Sequence, residues 1–168
     1  MKKTSIEIPS SFKGDIRQDA EILEKFSEDT SIFKIKPSLV VQPKDVYDLN
    51  TLIHYVHTRR GELSLTARSA GTDMSGGPLT DSIVVDMTKY FKQIQTVNTE
   101  FAVTQPGVYY RDFEKETLKL GVIMPSYTAS KELNTVGGMV ANNSAGEKSL
   151  TYGKTERYVQ ELKVVLQD

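Results

Sequence analysis

The spacing of hydrophobic positions changes several times along the chain, and each change predicts an element. Ile16, Ala20, Leu23 and Phe26 recur near the helical repeat. Residues 15–28 are therefore expected to form a helix capped by Asp15, after a polar, extended start that contains Ile6 and Ile8. Leu39, Val40 and Val41 form an unbroken apolar run between Pro37 and Pro43, the pattern of a buried strand. Val46, Leu49, Leu52, Ile53 and Val56 repeat at three- and four-residue intervals. They predict a helix to about His57, closed by Arg59-Arg60-Gly61. A strand follows at 63–67, so 39–67 is the beginning of a βαβ unit, with a connection long enough for a right-handed parallel crossover. Ile83, Val84 and Val85 make a further strand. Residues 94–97 and 101–104 flank Asn98-Thr99-Glu100 as the arms of a hairpin. Residues 109–120 read as a short helix with Phe113 and Leu118 or Leu120 inward, and Thr135 is placed to cap a short helix over 136–141. Leu162, Val164 and Leu166 alternate as a strand across 161–167. No partner follows that strand before the chain stops at Asp168, so the sequence reads as the N-terminal piece of a longer protein.

Two segments break the periodicity. Residues 68–80, RSAGTDMSGGPLT, follow a strand directly and carry three glycines and several small hydroxyls. Little side-chain bulk lets backbone N–H groups converge on one anion, which makes this a candidate phosphate or pyrophosphate cradle, with Arg68 at its mouth. The spacing fits neither a P-loop nor the GxGxxG fingerprint. A glycine-rich surface turn explains the same composition. Residues 136–146, VGGMVANNSAG, pair two glycines with Asn and Ser. Such a segment lets a flat ligand approach the backbone and offers polar groups to it; a glycine-opened core turn is the plainer alternative. Two such segments in one small protein suit one extended ligand of dinucleotide length.

Composition narrows the choice. The chain has 168 residues, 38% hydrophobic and 26% charged, with 21 basic against 22 acidic side chains and a net charge of −1. That is a globular balance with no basic stripe for nucleic acid. Cysteine is absent, which excludes disulfides, cysteine-ligated iron–sulfur clusters and a cysteine nucleophile within this chain. His54 and His57 share one predicted helix without a third ligand, so no metal site is expected. No apolar run approaches the length of a membrane span and no leader is evident at the start. The expected location is cytoplasmic, or peripheral to the inner face of a membrane in the full-length protein.

The stretch SLVVQPKDVYDLNTLIHYVHTRRGELSLTARSAGTDMSGG resembles the start of the flavin domain of the vanillyl-alcohol oxidase and p-cresol methylhydroxylase (PCMH) superfamily. SIVVDMTKYFKQIQTVN, FAVTQPGVYYRDFE, PSYTASKELNTVGGMVANNSAG and YGKTERYVQELKVVLQD continue the likeness in order. The order is similar to that of the D-lactate dehydrogenase and glycolate oxidase subunit branch, the FAD-linked oxidases. Phe26, Ser27, Asp29 and Ser31 match the branch's aromatic-S-x-D-x-S lead-in, so the resemblance covers about residues 21–168.

The resemblance implies an α+β, PCMH-type FAD-binding fold: a small parallel βαβ lobe plus a mainly antiparallel second lobe, with the dinucleotide between them. It divides the chain into an N-terminal extension with a helix (1–34), a first lobe (35–87) and a second lobe (88–168) truncated at its C-terminus. By the same resemblance Arg68, Ser69, Ala70, Gly71, Thr72 and Asp73, closed by Ser75 and Gly76, correspond to the pyrophosphate loop. Ser130 corresponds to a cofactor-touching residue ahead of the second segment. Thr135, Gly138, Asn142, Asn143, Ser144 and Ala145 correspond to the stretch beside the diphosphate, ribityl chain and isoalloxazine. Gly137 is expected to let the chain pass close to the ring, and Val159 corresponds to a position whose backbone meets the adenine end.

Two departures stand out. Ser69 replaces the loop's usual first glycine, and Thr72 stands where relatives with covalent flavin often carry His. With no cysteine either, the FAD is expected to be held non-covalently. The implied function is the FAD-binding module of a flavin-dependent oxidoreductase acting on a 2-hydroxy acid such as D-lactate or glycolate, inactive as this fragment alone. Cap and C-terminal domains are missing, no catalytic residue is assigned, and an iron–sulfur or other electron-transfer partner belongs to the implied whole. A non-flavin nucleotide- or phosphate-binding module, a UDP-N-acetylmuramate dehydrogenase-like flavin reductase, and a structural domain with a degenerate loop are the alternatives.

Overall fold

The computed structural model describes residues 6–166. The described residues group into two units, one built from 6–67, 73–86 and 164–166, the other from 68–72 and 87–163.

The first unit is organised by a four-stranded sheet of order β1-β2-β4-β3, with β1 at Asp15–Arg17, β2 at Leu39–Gln42, β3 at Leu65–Arg68 and β4 at Ile83–Asp86. β2 and β4 are parallel, with Leu39 opposite Ile83 and Val41 opposite Val85. Both are short, rich in valine and buried along nearly their whole length, which is why their sequences run apolar without alternation. β4 lies between β2 and β3. The Ser64 and Arg68 carbonyls accept from the Ile83 and Met87 N–H groups, so β3 and β4 advance in the same direction. α2, Val46–His57, connects β2 to β3 and buries Leu52, Tyr55 and Val56. The Asp45 side chain caps it by accepting from Asp48 N at 3.0 Å. Asp48 itself is buried, and its carboxylate accepts from Lys13 N and Lys44 N at 2.7 and 2.8 Å. Two amide donors offset the cost of removing that charge from water.

One expected helix is corrected. Residues 15–28 split into β1 and a shorter α1, Ala20–Lys25, capped by Asp19 and not Asp15. β1 pairs antiparallel with β2, Ile16 opposite Val41. Pairing to the open edge of β2 outweighs the helical spacing that includes Ile16. Phe26 packs with Val40 and Val84, and Ile22 and Leu23 lie against them.

The second unit holds a hairpin, β5 at Ile94–Val97 and β6 at Ala102–Thr104, with a register shift between Ile94 and Thr96. Asn98 Oδ1 closes its turn by accepting from Glu100 N and Phe101 N, both at 2.8 Å. α3, Tyr110–Leu118, buries Tyr110, Phe113 and Thr117. Leu118 and Leu120, expected inward, are exposed, because the buried stripe runs through 110, 113 and 117. Tyr110, Phe113, Val108, Tyr127, Val136 and Met139 form the core of this unit. α4, Val136–Ala141, starts at Thr135 as expected. The polar stretch after it contains α5, Ser149–Tyr152, and a 3-10 turn at Thr155–Tyr158.

The strand expected over 161–167 is a second correction. Residues 161–166 are not in a strand, and Leu162, Val164 and Leu166 are exposed. Alternation makes a strand only where a neighbour supplies hydrogen bonds, and no strand pairs with this segment among the described residues. Met1–Ser5 of the N-terminal extension, and Gln167 and Asp168 with the expected truncation, lie outside the described residues.

Candidate functional site

The first small-residue segment divides in its middle. Arg68–Thr72 belongs to the second unit, with Ser130–Val159, whereas Asp73, Ser75 and Gly76 belong to the first. Within the second unit, Arg68 is buried at the end of β3, and its guanidinium lies against Gly71, where an added Cβ would strike it. Gly71 has φ +72°, a conformation open to glycine at no steric cost. The backbone N–H groups of Ala70, Gly71 and Thr72 donate to no acceptor among the described residues. Three unmatched amides in a half-buried turn, next to a buried cation, fit an anion of diphosphate type. Ser69, in the place of a family glycine, has no positive φ, so serine there carries no backbone strain.

The Asp73–Gly77 half is already satisfied internally. The Asp73 carboxylate accepts from Ser75 Oγ at 2.7 Å, Ser75 N at 3.0 Å and Gly77 N at 2.8 Å. The Ser75 hydroxyl, joined by the Gly77 and Ser75 amides, holds the Asp73 carboxyl below the usual carboxylate range. Thr30 Oγ1 donates to the Asp73 carbonyl at 2.8 Å, and Gly76 sits against the Phe33 ring. Asp73, Ser75 and Gly77 thus close a turn of their own within the first unit.

In the second segment the buried Thr135 accepts from Gly138 N at 3.1 Å. Val136 N and Gly137 N donate to the carbonyls of Val108 and Pro106, both at 2.9 Å. The two glycines differ. A Cβ on Gly137 would come within 2.7 Å of the Pro106 oxygen, whereas a Cβ on Gly138 would meet only Thr135 Oγ1, at 3.3 Å. Pro106 packed on Gly137 accounts for the glycine there, whereas beside Gly138 no second atom stands within 4 Å of an added Cβ among the described residues.

Asn143 and Ser144 are engaged elsewhere. Asn143, at φ 45°, donates through Nδ2 to Glu156 Oε2 at 2.7 Å and accepts from Glu156 N at 3.0 Å. The Ser144 carbonyl accepts from Thr155 N and Thr155 Oγ1 at 3.1 and 2.8 Å. Together they clasp the end of α4 to the 3-10 turn. Asn142 and Ala145 are exposed, and the Asn142 side chain has no hydrogen bond among the described residues. Val159 is half-buried at the end of the 3-10 turn. Ser130, also half-buried, stands in a turn with Thr128 and Asn134. Sequence reading missed those two neighbours; three small polar side chains within seven residues were the available signal.

Comparison with known proteins bears on what these groups hold. Residues 37–168 match the family described as FAD binding domain. The chain is 31% identical over 160 residues to a D-2-hydroxyglutarate dehydrogenase of Pseudomonas putida, covering 94% of this chain and 16% of that protein. It is 29% identical over 140 residues to glycolate oxidase subunit GlcD of Bacillus subtilis, covering 82% of this chain and 29% of the subunit. A D-lactate dehydrogenase of Archaeoglobus fulgidus is 27% identical, over 77% of this chain and 29% of that enzyme. A solved alkyldihydroxyacetonephosphate synthase superposes with a TM-score of 0.73 at 22% identity, over 84% of this chain and 31% of that one; that likeness shows the fold alone. The chain spans less than a third of the length of each.

Proposed function

This chain belongs to the FAD binding domain family, and from that premise we propose that it is the cofactor-holding part of a flavin-dependent oxidoreductase acting on a small 2-hydroxy acid. The observation that carries the reading is the turn at Ala70–Thr72, whose unmatched amides stand beside the buried Arg68. Those amides would donate to the diphosphate, with the Arg68 charge favouring its two negative groups. Gly138 would admit a flat ring to the α4 backbone, and Asn142 would offer an amide to it. Thr135 holds α4 in place by its cap. Bound FAD supplies an acceptor for the two electrons released when a hydroxy acid becomes a keto acid.

The relatives' names specify D-2-hydroxyglutarate, glycolate and D-lactate as their substrates, and from them we infer the class of substrate here. Substrate-binding cap and C-terminal domains, an iron–sulfur or other electron-transfer partner, and a cytoplasmic location are parts of the same proposal. The division of residues 1–168 into an extension and two lobes at 35–87 and 88–168 is proposed on the same footing. Thr72 and the absence of cysteine support non-covalent attachment.

Titration of the purified protein with FAD, followed by quenching of flavin fluorescence, tests the reading. Saturable binding, with a yellow protein after free cofactor is removed, is expected. A protein that stays colourless and unsaturable overturns it.

A further inference from the structure

We propose that residues 159–165 are a docking surface for a second copy of this chain: two such segments pair as antiparallel strands about a twofold axis at Leu162. The segment leaves the 3-10 turn extended, with Val159 at φ −88° and ψ 109°. Among the described residues, no backbone N–H or carbonyl of 160–166 makes a hydrogen bond. The two faces differ. Leu162, Val164 and Leu166 are 58%, 61% and 66% exposed, whereas Val159 and Val165 on the opposite face are half-buried. One face therefore meets the body of the protein, and the other presents an apolar row to water beside an unpaired backbone edge. An edge of that kind is a template for another strand.

Charge identifies the partner and sets the register. Like faces meet only when each residue stands opposite one of its own parity, since a slip of one residue turns every side chain over. Centred on Lys163, a twofold antiparallel pair would oppose the two lysines. Centred on Val164, it would set Lys163 against Val165 and Glu161 against Gln167, with neither charge matched. An in-register parallel pair would put Glu161 beside Glu161 and Lys163 beside Lys163. Centred on Leu162, Glu161 of each copy stands opposite Lys163 of the other, Gln160 faces Val164, and Leu162 faces itself. Opposite charges directly across a strand pair stabilise it and like charges destabilise it. The segment is thus complementary to itself in that register, which is what an interface between identical copies requires. The paired surface is small, so the dimer is weak and follows concentration.

Sedimentation velocity across a concentration series, together with disulfide trapping, tests this. The unsubstituted chain is expected to dimerise as its concentration rises. Glu161→Lys sets lysines opposite each other twice and should weaken the dimer about tenfold. Combining Glu161→Lys with Lys163→Glu should restore it, because the two charges only exchange places. The chain has no cysteine, so a single introduced one reports the register. Leu162→Cys should form an interchain disulfide under mild oxidation, since directly opposite residues have Cα atoms about 4.5–5.5 Å apart. Leu166→Cys, opposite Tyr158 in this register, should not. A chain that stays monomeric throughout leaves the apolar row to some other strand and overturns the proposal. A dimer that Glu161→Lys does not weaken, or that the charge exchange does not restore, overturns it too, as does trapping through Val164→Cys in place of Leu162→Cys. The substituted positions are exposed, and matching melting curves keep loss of the fold out of the readout. None of these outcomes depends on FAD.

Discussion

At the scale of single residues, the adjacent glycines of α4 do opposite jobs. Both look alike in the sequence, as bulk-free positions before Met139. The Pro106 backbone occupies the space a Gly137 side chain would need, so Gly137→Ala should destabilise the protein by about 1–3 kcal/mol through overpacking. Gly138 has only Thr135 Oγ1 within reach. Gly138→Ala should leave thermal stability within about 1 kcal/mol, since alanine is also the better helix former, yet weaken FAD by occupying the open face. Paired melting curves and FAD titrations check both, and a Gly138→Ala protein with normal affinity would place that glycine outside the site. Asn143 shows how far residue identity carries. The family motif assigned it to the cofactor, but its amide is satisfied by Glu156, thirteen residues on, a pairing that no local pattern announces. Asn143→Ala should cost about 0.5–1.5 kcal/mol of stability, the net worth of hydrogen bonds to a partner that water can reach, while the folded fraction retains FAD. A selective loss of affinity at unchanged Tm would return Asn143 to the site.

At the scale of elements, the turn at 73–77 is held by one carboxylate, and its stability should follow that group's charge. The Asp73 pKa lies below its ordinary value in the folded protein because the ionised form receives the Ser75 hydroxyl and the amides around it. A depressed folded pKa contributes stability above the unfolded value near 4, lost as pH falls through the folded one. Asp73→Asn should therefore lower Tm more at about pH 7 than at about pH 3, below the unfolded value, where part of that contribution is lost. An equal difference at both pH values would mean that shape and not charge holds the turn. Elements with local signals were legible in the sequence. β2 and β4 announced themselves by uninterrupted apolar runs, α2 by its stripe and α4 by the threonine cap. β1 was not legible, because three residues become a strand only when the β2 edge is open to them. The alternation at 161–166 misled for the converse reason: the pattern is present and the pairing is not.

At the scale of the whole molecule, the chain holds a candidate cofactor site in one unit but spans only 16–29% of the length of the relatives compared. Holding a flavin and turning over a substrate are separable demands. The first needs amides, a cation and space, and the second unit has all three at Ala70–Thr72, Arg68 and Gly138. The second needs groups that grip a carboxylate and take a hydroxyl proton, and both histidines here lie on α2, where His57 neighbours Arg60 at 2.7 Å. The 168-residue chain should therefore bind FAD, and more weakly than a protein carrying the relatives' remaining length. Acid precipitation should release the flavin into the supernatant, because Thr72 offers no nitrogen and no cysteine offers sulfur for a covalent link. Supplied with glycolate, D-lactate or D-2-hydroxyglutarate and an artificial dye, the FAD-loaded chain should not reduce the dye above the rate of free FAD. Steady dye reduction by this chain would mean that proton removal is carried by residues already present, and would move the search for them to Asn142 and the open face of α4.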